Sequence, residues 1–308
     1  MKSKNLGLFF GLSAGFLWSF TFLAPKISYQ FTSTEILLGR YLIFFIISLA
    51  FFPLPKLIRF FKDHPSFLKE ALITSTLGFS GYYFILVESV RLVGVPFPSF
   101  TMGLVPVTMI LLAGNFRRNL KLYRTTLICV FLGMLTLAVK DISEINYAEK
   151  DLIDVMTGIA LAFLALASWT YYALRNVKFL SDHPYLKSKD WSSILGLFAL
   201  PTTLICLMIE SLFRSKSLYI FQASSQEIGT FVACALAIGI GSSWLATYCW
   251  NIAGSILTKE MLGQMVVSET CFAVILNVLY EKRMPYPAEL IALLLLSTGV
   301  AFAARKKS

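Results

Sequence analysis

Apolar residues run along this chain in long stretches, and polar residues gather in the short breaks between them. A bilayer crossing needs roughly 20 mostly apolar residues. In the first half such stretches fall at Leu6–Ala24, Ile36–Phe52, Leu68–Glu88, Val95–Asn115 and Tyr123–Val139. In the second half they fall at Asp154–Leu174, Trp191–Ile209, Ile228–Trp250, Met261–Tyr280 and Pro287–Ala304. The pattern predicts an all-α integral membrane protein with ten transmembrane helices, numbered here as spans 1 to 10. Spans 5 and 10 are short and need flanking residues that snorkel. Span 1 follows Lys2 and Lys4 and imitates a secretory signal, but it is longer than a typical signal core. No convincing small-x-small site follows it, so it reads as a retained helix.

Composition narrows the solvent to lipid. Of 308 residues, 57% are hydrophobic and 14% charged, with a mean hydropathy of +0.72. Too little polar surface remains to cover a soluble globule of this size. A net charge of +10 would elsewhere suggest nucleic acid. Here the cations sit in short loops between spans, so they read as a topology signal and no nucleic-acid partner is expected. With the N-terminus inside, eighteen Lys and Arg fall in inside segments against eight in outside loops, and Arg40 lies within span 2. Both termini are therefore expected in the cytoplasm. Cys129, Cys206, Cys234, Cys249 and Cys271 all lie in apolar runs without metal-ligand or redox spacing, and read as small buried residues.

A weak internal repeat divides the chain. Gly7 and Trp18 recur as Gly158 and Trp169 at an offset of 151. Gly81, Gly94 and Gly103 recur as Gly241, Gly254 and Gly263 at 160, and Gly133 as Gly299 at 166. Each match is weak alone, but their collinear order is informative. The implied unit is five spans, an odd number, so the second copy (146–308) enters the membrane from the face opposite to the first (1–145). Such inverted repeats build alternating-access transporters with a midplane site between the halves.

Two five-helix copies, each opening on a Gly…Trp-Ser/Thr helix, resemble the drug/metabolite transporter superfamily in its EamA-domain branch. Leu38-Gly39-Arg40-Tyr41-Leu42 resembles the arginine-bearing start of helix 2 in that family, and Gly103-Leu104-Val105-Pro106-Val107 its helix 4. The stretches Trp169–Asn176, Ser243-Trp244, Cys249-Trp250-Asn251, Leu262-Gly263 and Glu269-Thr270 resemble a bacterial inner-membrane subgroup. The resemblance covers the whole chain. It implies a central cavity lined mainly by spans 1, 3, 4, 6, 8 and 9, and export of a small metabolite across the inner membrane. Substrate does not follow from fold.

Glu269 stands about halfway along span 9, where an ionised carboxylate costs about 2.5–3.5 kcal/mol on insertion scales. It either faces a cavity, as a proton-coupling group or an anchor for an amine, or it is a neutral acid bonded to a neighbouring helix. Arg40 could bind a substrate carboxylate or form an outer gate. Helix 2 is peripheral in the resembling family, however, which favours a fixed ion pair with Glu35 or Glu88, or snorkelling. Trp18 and Trp169, beside Ser19 and Thr170, could stack on a substrate or bind an ammonium, or pack against each other across the pseudo-two-fold. Tyr82, Tyr83, Tyr172, Ser243, Trp244, Tyr248, Asn251 and Gln264 form a polar-aromatic set suited to lining a small-molecule site or to joining helices. Pro106, with the glycines of spans 3, 4, 8 and 9, could form a gating helix that bends, but plain close packing of small residues between helices is the favoured reading. His64 and His183 recur in Asp-His-Pro turns and read as solvated turn residues, not metal ligands.

Three functions remain in view. The leading one is a secondary transporter of a small polar or amphipathic metabolite such as an amino acid, acting as a monomer or homodimer without cofactors. A lipid-linked carrier flippase is the nearest alternative. A membrane-embedded enzyme would need HExxH, paired intramembrane aspartates, GxSxG or a phosphate-cradling loop, and the sequence carries none of them. A scaffold subunit has no need of an inverted repeat.

Overall fold

A computed structural model describes residues 4–93, 96–112, 114, 116–143, 151–213 and 218–305. Gly94 and the 145/146 repeat boundary lie outside the described residues, as do the cations Lys2, Lys150, Arg214, Lys216, Lys306 and Lys307. Almost every described residue is helical, and none of them is in a strand.

Spans 1 and 2 form α1 (Lys4–Ile27) and α2 (Ser33–Phe51). The turn between them is closed by a capping box in which the Glu35 N–H donates to the Thr32 hydroxyl and the Thr32 N–H donates to the Glu35 carboxylate. This satisfies two orphan donors of the helix end. A short helix follows that the hydropathy pattern did not predict, α3 (Leu54–Asp63). Span 3 is composite: α4 (Ser66–Ser75), a π-helical segment Thr76–Ser80, and α5 (Gly81–Val93).

Span 4 is broken into α6 (Pro96–Met102) and α7 (Val105–Leu112). Pro106 has no N–H to offer the Met102 carbonyl, and its ring crowds that oxygen, so the chain interrupts there. Gly103 sits in the break, where a Cβ would overlap the Met134 side chain.

Span 5 is α8 (Phe116–Ser143), span 6 is α9 (Leu152–Asp182) and span 7 is α10 (Ser188–Phe213). Span 8 repeats the composite form: α11 (Ser225–Leu236), a π-helical segment Ala237–Leu245, and α12 (Ala246–Gly254). Spans 9 and 10 are α13 (Lys259–Glu281) and α14 (Pro287–Arg305). Among the described residues, eight helices are long and apolar enough to cross a membrane. Two shorter apolar segments, Phe100–Leu112 and Pro287–Phe302, lie at spans 4 and 10.

Lipid tails are as apolar as the side chains, so close packing of small residues and polar contacts must hold such a bundle together. The helices meet accordingly. Gly11 and Gly15 of α1 let Met265 and Ser268 of α13 approach, and Gly133 of α8 receives Leu296 of α14. The main pairs are α1 with α13 and α12, α2 with α10, α5 with α9, α7 with α13, and α8 with α14; α6 and α7 also pack on α9. Large apolar side chains such as Phe9, Ile205 and Leu294 point outward, as a lipid-facing surface requires.

Two expectations change. Cys249 is buried, but the other four cysteines are only half-buried. The Asp-His-Pro turns are not simply solvated: His64 and His183 cap α3 and α9 and converge on Phe67, with ring centroids 5.1 and 4.6 Å from it. Half-buried aromatic packing holds both rings there.

Candidate functional site

A cavity of about 520 Å³ opens inside the bundle, within the 300–1,000 Å³ range of small-molecule sites. Each contributing helix presents one face at helical spacing. From α1 come Trp18, Phe22 and Lys26; from α2 come Ile36, Arg40 and Tyr41; from α5 come Tyr82, Tyr83, Leu86 and Val90. Gly78 and Phe79 of the first π segment, Met102, Gly103 and Pro106 around the helix break, and Trp169 and Tyr172 of α9 complete one side. Val266, Val267, Glu269 and Thr270 of α13 supply the other. Lys26 and Phe22 are exposed, so the cavity reaches the surface at the C-terminal end of α1.

The opposite end is sealed. Trp18 and Trp169 meet edge to face with centroids 6.0 Å apart, and both lie against Trp250, at 5.2 and 5.7 Å. Beyond them runs a buried chain of hydrogen bonds. Trp191 Nε1 donates to Asn176 Oδ1 (2.8 Å), Asn176 Nδ2 to Asn251 Oδ1 (2.8 Å), and Asn251 Nδ2 to Ser192 Oγ (2.9 Å). Trp191, Asn176, Asn251 and Ser192 have no exposed surface at all. Each amide is thereby matched in a medium where an unpaired polar group is costly.

Three charged side chains line the cavity: Lys26 at its mouth, paired with Glu281, and Arg40 and Glu269 further in. Glu269 stands mid-helix on α13 and is half-buried, and among the described residues its carboxylate makes no ion pair or hydrogen bond. Its neighbours explain the orientation: Ser268 turns toward Gly15 of α1, and Gln264 Nε2 donates to the Pro106 carbonyl (3.3 Å). Arg40 is held from behind. Its Nε donates to Ser243 Oγ (2.9 Å) and Nη2 lies 3.5 Å from the Ser242 carbonyl. Its guanidinium also lies over the rings of Tyr41 and Tyr83, at 5.4 and 5.7 Å. Arg40 and Glu269 sit close enough to interact electrostatically across the cavity, with Tyr82 in range of both.

Of the residues singled out in the sequence, Trp18, Arg40, Tyr82, Tyr83, Pro106, Trp169, Tyr172 and Glu269 lie on this wall. The others do not. Ser19 is fully buried, with its hydroxyl donating to the Phe16 carbonyl. Ser243 stands behind Arg40 and Gln264 behind Pro106. Trp244 stacks on Phe51 and Tyr248 and donates to Ser193, which places both aromatics in the packing of α2, α10 and α12. Asn251 belongs to the buried amide chain, and Glu88 lies on α5 outside the lining.

Arg40 makes neither of the ion pairs expected of it: Glu35 instead accepts from its own cap and from the Ile220 N–H (2.7 Å). Span 2 thus replaces span 8 on the wall. The second π segment packs on α1 and α2, and its Ser242 and Ser243 hold the arginine without reaching the cavity themselves. Tyr41 and Lys26 were missed in the sequence. A signal was present for Lys26, since Trp18, Phe22 and Lys26 are four apart; Tyr41, next to Arg40 in the chain, offered none.

No family model matches the chain. A protein crystal structure superposes on it with a TM-score of 0.75 at 20% identity, over 98% of this chain and 97% of the other, which bears on the fold alone. In sequence, the chain is 28% identical over 98% of its length to Inner membrane protein YtfF of Escherichia coli (strain K12), and the match covers 95% of that protein.

Proposed function

We propose that this protein is a secondary transporter of the bacterial inner membrane that moves a small polar or amphipathic metabolite, such as an amino acid, by alternating access. The observation that carries the reading is the cavity itself: a dead-ended chamber inside an apolar bundle, with a carboxylate and a guanidinium turned into it. Keeping such charges within membrane depth is costly unless they serve the contents. Glu269 is the proposed proton-coupling group or amine anchor, and Arg40 the partner for a substrate carboxylate. The aromatic wall of Trp18, Trp169, Tyr82 and Tyr172 takes the remainder. No covalent chemistry is assigned to the site.

We read the chain as ten crossings in two inverted five-helix repeats, 1–145 and 146–308, as in the EamA branch of the drug/metabolite transporters. Three features support this. The eight long apolar helices and the two shorter segments together make ten. The π-helical segments at Thr76–Ser80 and Ala237–Leu245 overlap at the 160-residue offset of the glycines. The helix pairs also survive exchanging each span for its repeat equivalent: 1 with 9 becomes 6 with 4, 1 with 8 becomes 6 with 3, and 2 with 7 maps onto itself. With the termini inside, the open end at Lys26 faces outward.

Purified protein in liposomes, given labelled amino acids under an imposed proton gradient, tests the reading directly. Saturable, gradient-dependent uptake is expected. Transport of lipid head groups but not of any amino acid, or of neither, would overturn it.

A further inference from the structure

The helix that the hydropathy pattern missed carries a second binding surface. Residues of α3 are about 100° apart around its axis. Leu54, Leu57, Ile58 and Phe61 therefore share one arc, and Lys56, Arg59, Lys62 and Asp63 the opposite one. The protein covers only part of the apolar arc. Leu57, Phe60 and Phe61 pack on the core, whereas Leu54 and Ile58 are 52% and 57% exposed. The uncovered edge continues onto α4, where Leu68 and Leu72 are exposed in turn.

The cations divide in the same way. Lys56 is tied to Asp190 of α10 (2.9 Å) on the protein side. Arg59 and Lys62 lie on the side of the polar arc nearer Ile58, and Lys69 follows on α4; all three are exposed. Among the described residues none of the three makes an ion pair or hydrogen bond. An apolar edge running into the lipid-facing surface, bordered by unpaired cations, matches one kind of molecule: acyl chains below and a phosphate above.

We propose that α3 lies in the membrane interface and binds an anionic phospholipid, with Arg59 and Lys62 on its phosphate and Leu54 and Ile58 against its chains. This requires only that the bundle be membrane-embedded, and not that it transport anything. Its test is therefore independent of transport.

Thermal melting would be followed in phosphatidylcholine bicelles, with and without phosphatidylglycerol. Lipid retention by native mass spectrometry would be read in parallel. Phosphatidylglycerol should raise the melting temperature of the wild type, and the R59Q/K62Q variant should lose most of that rise. Each basic residue near an anionic surface contributes about fivefold in affinity, so the double variant should bind phosphatidylglycerol roughly 30-fold more weakly. The charge-retaining R59K/K62R variant should keep both effects, and K121Q/R124Q, which removes two exposed cations of the same membrane face from α8, should lose clearly less than R59Q/K62Q. A full shift in R59Q/K62Q would overturn the proposal, as would an equal loss in K121Q/R124Q. If soluble glycerol phosphate at matched ionic strength reproduced the shift, the site would be a free-phosphate site and the lipid assignment wrong.

Discussion

The buried amide chain beneath the tryptophans makes a quantitative prediction. Replacing Asn176 by Ala removes the acceptor of Trp191 Nε1 and the donor to Asn251 Oδ1 in one step. Both orphaned atoms belong to side chains with no exposed surface. Leaving a buried polar group unpaired costs about 1–3 kcal/mol. Interhelical hydrogen bonds in membrane proteins average only about 0.6 kcal/mol in double-mutant cycles, because the unfolded chain in the membrane also finds partners. Two lost bonds at the lower scale cost about 1.2 kcal/mol, and two stranded groups at the middle of the upper scale about 4. The expected loss for Asn176→Ala is therefore about 1–4 kcal/mol.

The partner substitution Asn251→Ala should cost somewhat less, since it strands Asn176 Nδ2, while Ser192 Oγ loses a donor but keeps its own bond to the Ser188 carbonyl. The double variant should cost less than the sum, by about 0.6–1.7 kcal/mol, because the shared bond is lost only once. Reversible unfolding of the four proteins in mixed micelles measures this. Strict additivity would refute the claim that the two amides are bonded to each other. A loss below about 0.5 kcal/mol for Asn176→Ala would refute the claim that the site is dry.

Glu269→Gln keeps the shape of the side chain and should leave folding intact while abolishing proton-driven uptake; full-rate gradient-driven transport in that variant would remove Glu269 from the coupling role. Arg40→Gln should weaken binding of a carboxylate-bearing substrate by roughly 10- to 150-fold, the worth of one charged hydrogen bond of about 1.5–3 kcal/mol, as isothermal titration would read. Gly103→Leu forces a side chain into the space of Met134 and should lower stability by about 1–3 kcal/mol in thermal melts. Cysteine in place of Tyr29 should be labelled from outside intact cells, and cysteine in place of Tyr185 only after permeabilisation. Both residues are exposed, at opposite ends of the bundle, and the reverse pattern would invert the topology.

Much of this architecture was written in local chemistry. Twenty-residue apolar runs can only be helices in lipid, because no water is present there to satisfy a free backbone. The interruption of span 4 was suggested as well, since Pro106 lacks an N–H and its ring crowds the preceding turn, although α10 runs on through Pro201 and shows that a proline alone does not decide the matter. Glu269 stood out because a carboxylate in mid-span needs a reason. Hydropathy could not register α3, because a ten-residue amphipathic helix averages to neither apolar nor polar.

Only the tertiary structure decided which polar residues share a space. Arg40, Ser243 and Glu269 are distant in sequence, and no spacing rule relates them. The arginine reaches the cavity because a π-helical turn of another helix offers a hydroxyl and a carbonyl to hold it there. Asn251 and Trp244 looked identical in kind to cavity residues, yet they serve as helix-joining groups. A polar side chain inside a membrane must find a partner, and the sequence shows the need without showing whether the partner is another helix or the contents of a chamber.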